Sequence, residues 1–270
     1  MREGVGWIYI PTPADYPLFR IGDIVTSSRH RRVPERKRGI ASSIIGVLGE
    51  LLITVGAFLL LFVVWQLWWT DVVADREHAV IIQELQSKWG GPSPKKIAPP
   101  EKGEPPKIEN VKENEVWGEL HVPKFDKATS PMAEGVSMEK VLNVIGNGHY
   151  PDTALPGEVG NFAFAGHRST YGRPLHDIAR LQPGDPVIVE GPKAYYVYYV
   201  TGSEIVQPND VQVIAPVPNK PGEEPTERML TMTACHPMYS AAERYITYAK
   251  YDHWVDRSKG IPKELAEVKK

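Results

Sequence analysis

The sequence predicts a mainly β protein, a closed or nearly closed barrel with a few short helices, carried behind one transmembrane helix and a Pro-rich linker. Three observations lead there. Seven strand-like runs recur between residues 116 and 251, separated by turn signals such as Gln182-Pro183-Gly184-Asp185. An apolar run ends at Trp69 and is long enough to cross a bilayer. Pro and Gly, at 25 and 23 of 270 residues, point to loops and a linker rather than a helical protein. That length allows one or two domains. A net charge of −2 leaves no electrostatic footprint for nucleic acid. No repeat of fixed period is visible.

Residues 1–28 lack periodicity and read as an irregular tail. Arg29, Arg31, Arg32, Arg36, Lys37 and Arg38 then form a basic cluster directly before the apolar run, which makes them a topology signal. The run extends from Ile44 to about Trp69, broken only by Glu50, Thr54 and Gln66. Its last nineteen residues, Leu51 to Trp69, span roughly 28 Å as a helix. A cleavable signal peptide is disfavoured, because the apolar core is long, starts late and has no small-x-small site after it. Trp65, Trp68 and Trp69 suit an aromatic belt at one interface, and Glu50 reaches water near the other. Asp71, Asp75 and Glu77 follow the span with only Arg76, so the expected topology has the N-terminus in the cytoplasm and everything after residue 70 outside.

Residues 71–89 can form an amphipathic helix with Val72, Ala79, Ile82, Leu85 and Trp89 near one face, stopped by Gly90-Gly91-Pro92. From there to about Glu109 the chain carries six prolines among charged residues. The expectation is a semi-extended spacer with a reach of about 60 Å that holds the next domain off the membrane. The expected organisation is a basic cytoplasmic tail over 1–39, a transmembrane helix over 40–70, a juxtamembrane helix over 71–89, the linker over 90–113, a barrel domain over 114–256 and a charged tail over 257–270.

Within the barrel domain the strand-like runs are Val116–Val122, Val159–Ala165, Pro186–Glu190, Ala194–Val206, Val211–Ile214, Arg228–Ala234 and Arg244–Tyr251. Short helices are expected after Ser137 as N-cap and around Pro174–Leu181. The stretch Ala215–Pro225 is a long Pro-rich surface loop, a usual place for substrate selection.

Cys235 is the one cysteine in the chain. On the outer side of a membrane thiols are usually paired, so a lone one is either an apolar filler or a reactive group. It ends a strand, and Arg244 begins the next after the turn His236-Pro237-Met238-Tyr239-Ser240. Spacing alone leaves the inert and reactive readings level. A thiol nucleophile needs a base or an imidazolium nearby. Of eight histidines, His30 lies on the cytoplasmic side, His78 precedes the linker, and His121, His176 and His253 sit in ordinary polar contexts. His236 adjoins the cysteine, and neighbouring side chains on a strand point apart. His149 and His167 remain, and spacing leaves them nearly level.

Three stretches then carry a resemblance that covers residues 114–251. They are Gly148-His149-Tyr150-Pro151-Asp152-Thr153-Ala154-Leu155-Pro156-Gly157, then Gly160-Asn161 through Ala165-Gly166-His167-Arg168, and Thr231-Met232-Thr233-Ala234-Cys235 with the later Arg244. In combination they resemble the sortases, membrane-anchored cysteine transpeptidases of Gram-positive bacteria, and most of all class E of high-GC actinobacteria. The resemblance implies an eight-stranded β-barrel with His167, Cys235 and Arg244 as the catalytic three. Thr233, Ala234, His149 and His236 are the expected substrate-contacting positions. The family's motif has Leu at Met232 and Thr or Ser at Ala234, so a hydroxyl beside the nucleophile is missing.

The implied reaction is acyl transfer in two steps. The Cys235 thiolate attacks the Thr carbonyl of a C-terminal sorting motif, Leu-Ala-x-Thr-Gly rather than Leu-Pro-x-Thr-Gly by the class E resemblance. His167 protonates the leaving Gly amine, and Arg244 stabilises the oxyanion. The implied partners are surface proteins bearing sorting signals, a peptidoglycan-precursor amine resembling that of lipid II, and the membrane; no nucleic acid, metal or other cofactor is called for. Gly222-Glu223-Glu224 reads as a solvated loop, not a calcium site. The competing readings are a pilin polymerase with a lysine acceptor and a non-catalytic, membrane-tethered barrel that binds the wall.

Overall fold

A computed structural model describes residues 40–109 and 111–266, so the expectations for residues 1–39 and for the last four residues lie outside it. Helix α1 spans Ile40–Lys88 as one unbroken element. No Gly or Pro occurs between Gly56 and Gly90, so nothing stops the helix where a separate juxtamembrane element was expected. The segment Ser43–Trp65, of mean hydropathy 2.6, is long and apolar enough to cross a membrane. The chain divides into two units after Gly56, the second running from Ala57 to Lys270 and holding the barrel. In that second unit α1 buries Ala74, His78 and Leu85, an i, i+4 pair continued two turns later. Ala79, expected on the inner face, is exposed.

Eight strands follow: β1 (Val116–His121), β2 (Thr129–Glu134), β3 (Asn147–His149), β4 (Gly160–Gly166), β5 (Pro186–Glu190), β6 (Ala194–Val206), β7 (Arg228–His236) and β8 (Glu243–Asp256), with a short α2 at Lys263–Ala266. They close into a barrel in the order β1-β2-β3-β4-β7-β8-β6-β5. The β2–β3 and β4–β7 pairs are parallel and the remaining pairs antiparallel. β2 and β3 are absent from the strand-like runs in the sequence, since Pro131 interrupts the first and the second is only Asn147-Gly148-His149. Conversely, the expected strand Val211–Ile214 is a 3₁₀ turn that buries Val213. Ser137 caps a single π-helical turn, Met138–Leu142, accepting from the Lys140 N–H, and Ile178–Arg180 forms a 3₁₀ turn.

Period-two alternation sets the barrel interior. Phe162 and Phe164 of β4, with Leu230, Met232 and Ala234 of β7, join Leu120, Met132, Tyr196 and Tyr198 in the main core cluster. The opposite row, Ala163, Ala165, Thr231, Thr233 and Cys235, is thereby turned outward.

The Pro-rich stretch does not run free as a spacer. It lies on the barrel as a strap. Ala98 and Ile108 are buried. The Ala98 N–H donates to the Ile261 carbonyl and the Ile261 N–H to the Lys96 carbonyl, each at 2.9 Å, and the Glu101 N–H to the Trp254 carbonyl at 2.9 Å. Tyr196 donates to the Pro106 carbonyl, and Arg257 to that of Gly91 at 2.7 Å. Prolines hold this backbone extended without N–H groups of their own, leaving carbonyls for the barrel to donate to.

Candidate active site

β7 and β8 pair so that Cys235 stands directly opposite Arg244. Cross-strand partners share a face, with Cβ atoms about 4.5–5.5 Å apart. β4 and β7 run parallel, and their last pair is Ala165 with Thr233. Two residues further along each strand direction come His167 and Cys235, the next outward positions of the two rows. The topology thus brings His167, Cys235 and Arg244 to one end of one barrel face. The thiol is free and partly exposed. The turn after β7 opens with a cis peptide between His236 and Pro237.

His167 places Nε2 2.8 Å from Asn143 Oδ1, and its ring centre lies 5.1 Å from that of Tyr171. Since the amide oxygen accepts, Nε2 carries the proton and Nδ1 is the nitrogen left for chemistry. Burial pushes the imidazole below its ordinary pKa. Arg244 donates from Nη1 to the carbonyls of Ala241 and Glu243, both at 2.9 Å, which fixes the plane of its guanidinium.

Of the four expected substrate-contacting residues, two face elsewhere. His149 is 3% exposed and engaged at both nitrogens. Nδ1 meets Glu134 at 2.7 Å, while Nε2 meets Thr153 Oγ1 at 2.8 Å and the Ala154 carbonyl at 3.1 Å. It has no nitrogen to offer a substrate. That difference separates it from His167, with which it was level on spacing. Ala234, also 3% exposed, points into the core. A hydroxyl there would face Leu230 and Met232 rather than the groove, so its absence removes a buried polar group and not a substrate contact. Thr233 does face outward, its hydroxyl 3.0 Å from that of Tyr150 and 3.4 Å from the Phe164 carbonyl. His236 is partly exposed, its ring centre 5.9 Å from that of Tyr245.

Sequence reasoning passed over Arg168. Its guanidinium, on a residue 7% exposed, donates from Nη1 to His236 Nδ1 at 2.8 Å and to the Cys235 carbonyl at 3.4 Å. It also lies 5.4 Å from the centre of the Tyr245 ring. Burial lowers its pKa, opposed by Tyr245 and Cys235. Its adjacency to His167 was the available signal. Asn143 gave none, lying 24 residues from the histidine it touches.

The loop expected to select substrate encloses a cavity of about 450 Å³ lined by Thr201, Val217, Asn219, Lys220, Met229 and Tyr248. Met229 is six residues before Cys235 on β7, about 20 Å along the strand. Among the described residues Glu119, His121 and Glu190 have metal-like spacing, their ligand atoms within 4.8 Å of one another. This cluster is already saturated. Arg257 and His121 hold Glu190 at 2.7 and 2.9 Å, Gln86 donates to Glu119 at 3.0 Å, and Thr129 meets the other His121 nitrogen at 3.0 Å.

A sortase-domain family model matches residues 120–252. Over 243 residues, 87% of this chain, the sequence is 37% identical to Sortase SrtE1 of Streptomyces coelicolor, of whose length it spans 65%. It is 34% identical to Sortase SrtE2 of the same organism over 89% of this chain and 94% of that protein. Among solved structures, the SrtA sortase from Actinomyces oris is similar at a TM-score of 0.59 with 43% identity, covering 62% of this chain and 96% of that one. Identity at this level over nearly the full length of a relative joins the closed barrel and its lone thiol to one group: the chain belongs to the sortase family, whose members are cysteine transpeptidases.

Proposed function

We propose that the protein is a membrane-anchored transpeptidase that cuts a C-terminal sorting motif between Thr and Gly and passes the acyl group to a cell-wall precursor amine. The observation that carries this reading is the register. A free thiol faces an arginine across one strand pair, with a partly buried histidine one outward step beyond the next. The Cys235 thiol gives its proton to His167 Nδ1 as its sulfur bonds to the Thr carbonyl carbon, and Arg244 stabilises the resulting oxyanion as a fixed charge. Collapse breaks the Thr–Gly bond while His167 delivers a proton to the departing amine. An incoming amine then attacks the thioester and expels the thiolate, with His167 taking the amine proton. The lowered imidazole pKa suits that last step, because a neutral ring is the form that accepts a proton.

Leu-Ala-x-Thr-Gly is the motif we assign, on the similarity to class E sortases. The anchor is the apolar segment of α1, with the basic cluster inside and the barrel outside. The test incubates the full chain in detergent with Leu-Ala-x-Thr-Gly and Leu-Pro-x-Thr-Gly peptides and an amine. A ligated product and a mass adduct on Cys235 are expected, with neither in Cys235→Ala. Adduct-free Cys235 and no product would leave the wall-binding reading standing. Protease added to wall-stripped cells should remove the barrel; a protected barrel would reverse the topology.

A further inference from the structure

His167 can act only if its ring is held in one orientation, and the two groups holding it sit on separate loops outside the barrel strands. Asn143 follows the π-helical turn and takes the Nε2 hydrogen bond; Tyr171 lies against the ring. Both loops meet α1. The His78 imidazole is wedged between them at two glycines. A Cβ on Gly172 would stand 2.8 Å from His78 Cε1, and one on Gly146 3.1 Å from the same atom. Both glycines have positive φ, +76° and +107°, so neither position suits a side chain.

The His78 ring also comes within reach of the Val144 backbone, the residue directly after Asn143. Its neighbours on the helix reinforce the grip. Asp71 pairs with Arg173 at 2.9 Å. Lys127 bridges Asp75 at 2.6 Å and the Gly172 carbonyl at 3.3 Å. Ile81 packs against the cluster of Val141, Leu142 and Ile145. A leucine would fill the 78 position for packing alone. The imidazole instead leaves Nε2 buried without a protein partner, a desolvation cost that an apolar side chain avoids. What it gains is a polar contact with the segment that carries Asn143.

We propose that the juxtamembrane part of α1 belongs to the catalytic unit, with His78 as a positioning residue that fixes the Asn143 and Tyr171 loops and, through them, His167. The proposal rests on the reading of His167 as the proton donor. Its test uses the full chain in detergent, with ¹⁵N-labelled histidine, and compares His78→Leu, His78→Asn, Asn143→Ala and the His78→Leu/Asn143→Ala pair. His78→Leu is expected to lower kcat roughly tenfold, through a misplaced acid, while KM for the peptide changes little. His78→Asn, which keeps a donor for the Val144 backbone, should recover part of the rate. In the Asn143→Ala background His78→Leu should cost little more, because both act through one bond.

The His167 ring signals should move in His78→Leu. An unchanged kcat with unmoved His167 signals would overturn the proposal, as would losses that multiply in the pair. Should His78→Leu fail to fold, His78→Asn carries the same comparison. A parent chain that ligates no peptide would remove the catalytic reading, and the ring signals would still decide the positioning claim. Moved signals support it and unmoved ones overturn it.

Discussion

Two arginines approach Cys235 by different routes, and they should fail differently when removed. Arg244 faces the thiol across the β7–β8 pair, half-exposed, with only Nη1 spent on carbonyls of its own turn. As a mere strand arginine beside Glu243 it would be worth under about 1 kcal/mol to stability. As an oxyanion donor its loss should cost roughly 10²–10³ in rate. Arg244→Ala should therefore lower turnover by that factor, and Arg244→Lys by less, since lysine keeps the charge without the planar fork. Both should melt close to the parent. Activity of Arg244→Ala within a few-fold of the parent would return the residue to the surface. Arg168 is buried between His236 and Tyr245, and Arg168→Ala leaves those groups unmatched. A loss of about 1–3 kcal/mol is expected, seen as a thermal midpoint several degrees lower. An unchanged midpoint would show that the buried contacts carry no stability.

The strap is the element whose role the sequence misread, and it makes a separate prediction. A chain beginning at residue 110 gives up buried Ala98 and Ile108, the pairing with Ile261 and Trp254, and the acceptors for Tyr196 and Arg257. At about 1 kcal/mol per hydrogen bond, its thermal midpoint should fall well below that of a chain beginning at residue 90. Equal midpoints would show that the strap only rests on the barrel. The misreading has a physical cause. Proline density reports an extended backbone but is silent on whether a surface is waiting for its carbonyls. Strands were legible where aromatic and β-branched residues alternate, as in Tyr195 to Val200 of β6. They were illegible at β2 and β3, where tertiary pairing overrides a proline and a glycine. The thiol and its arginine stood out through sequence proximity to one turn. His167 and His149 could be separated only by their partners, which lie up to 24 residues away.

For the whole molecule, the buried cluster joining α1, β1, β5 and the C-terminal turn sets a pH response. Burial, with the neighbouring charge of Glu190, raises Glu119 from its ordinary 4.5 to about 7. Burial would raise Glu190 too, but His121 and Arg257 hold it below its usual value. Glu119 thus contributes stability that is fully present below about pH 4.5 and is lost as pH rises through about 7. Glu119→Gln should flatten the decline of the thermal midpoint between pH 5 and pH 8, removing a loss of order 3 kcal/mol. A decline of unchanged slope would assign it to other groups.

The Asp71–Arg173 pair has a consequence for encounter. The apolar segment ends at Trp65, and the barrel is gripped from Asp71, six residues and about 9 Å of helix later. A domain on a free leash would sweep a volume and dilute itself within it. For a helix that crosses a bilayer, a grip this close leaves no leash to sweep with. The reacting sulfur then stays near one height and searches a plane. Under the proposed function such an enzyme works as a ruler, and sorting signals whose motif lies at a matching distance from their own membrane segment are expected to react in place. A motif carried much farther out meets the wrong height, however well its residues fit the groove.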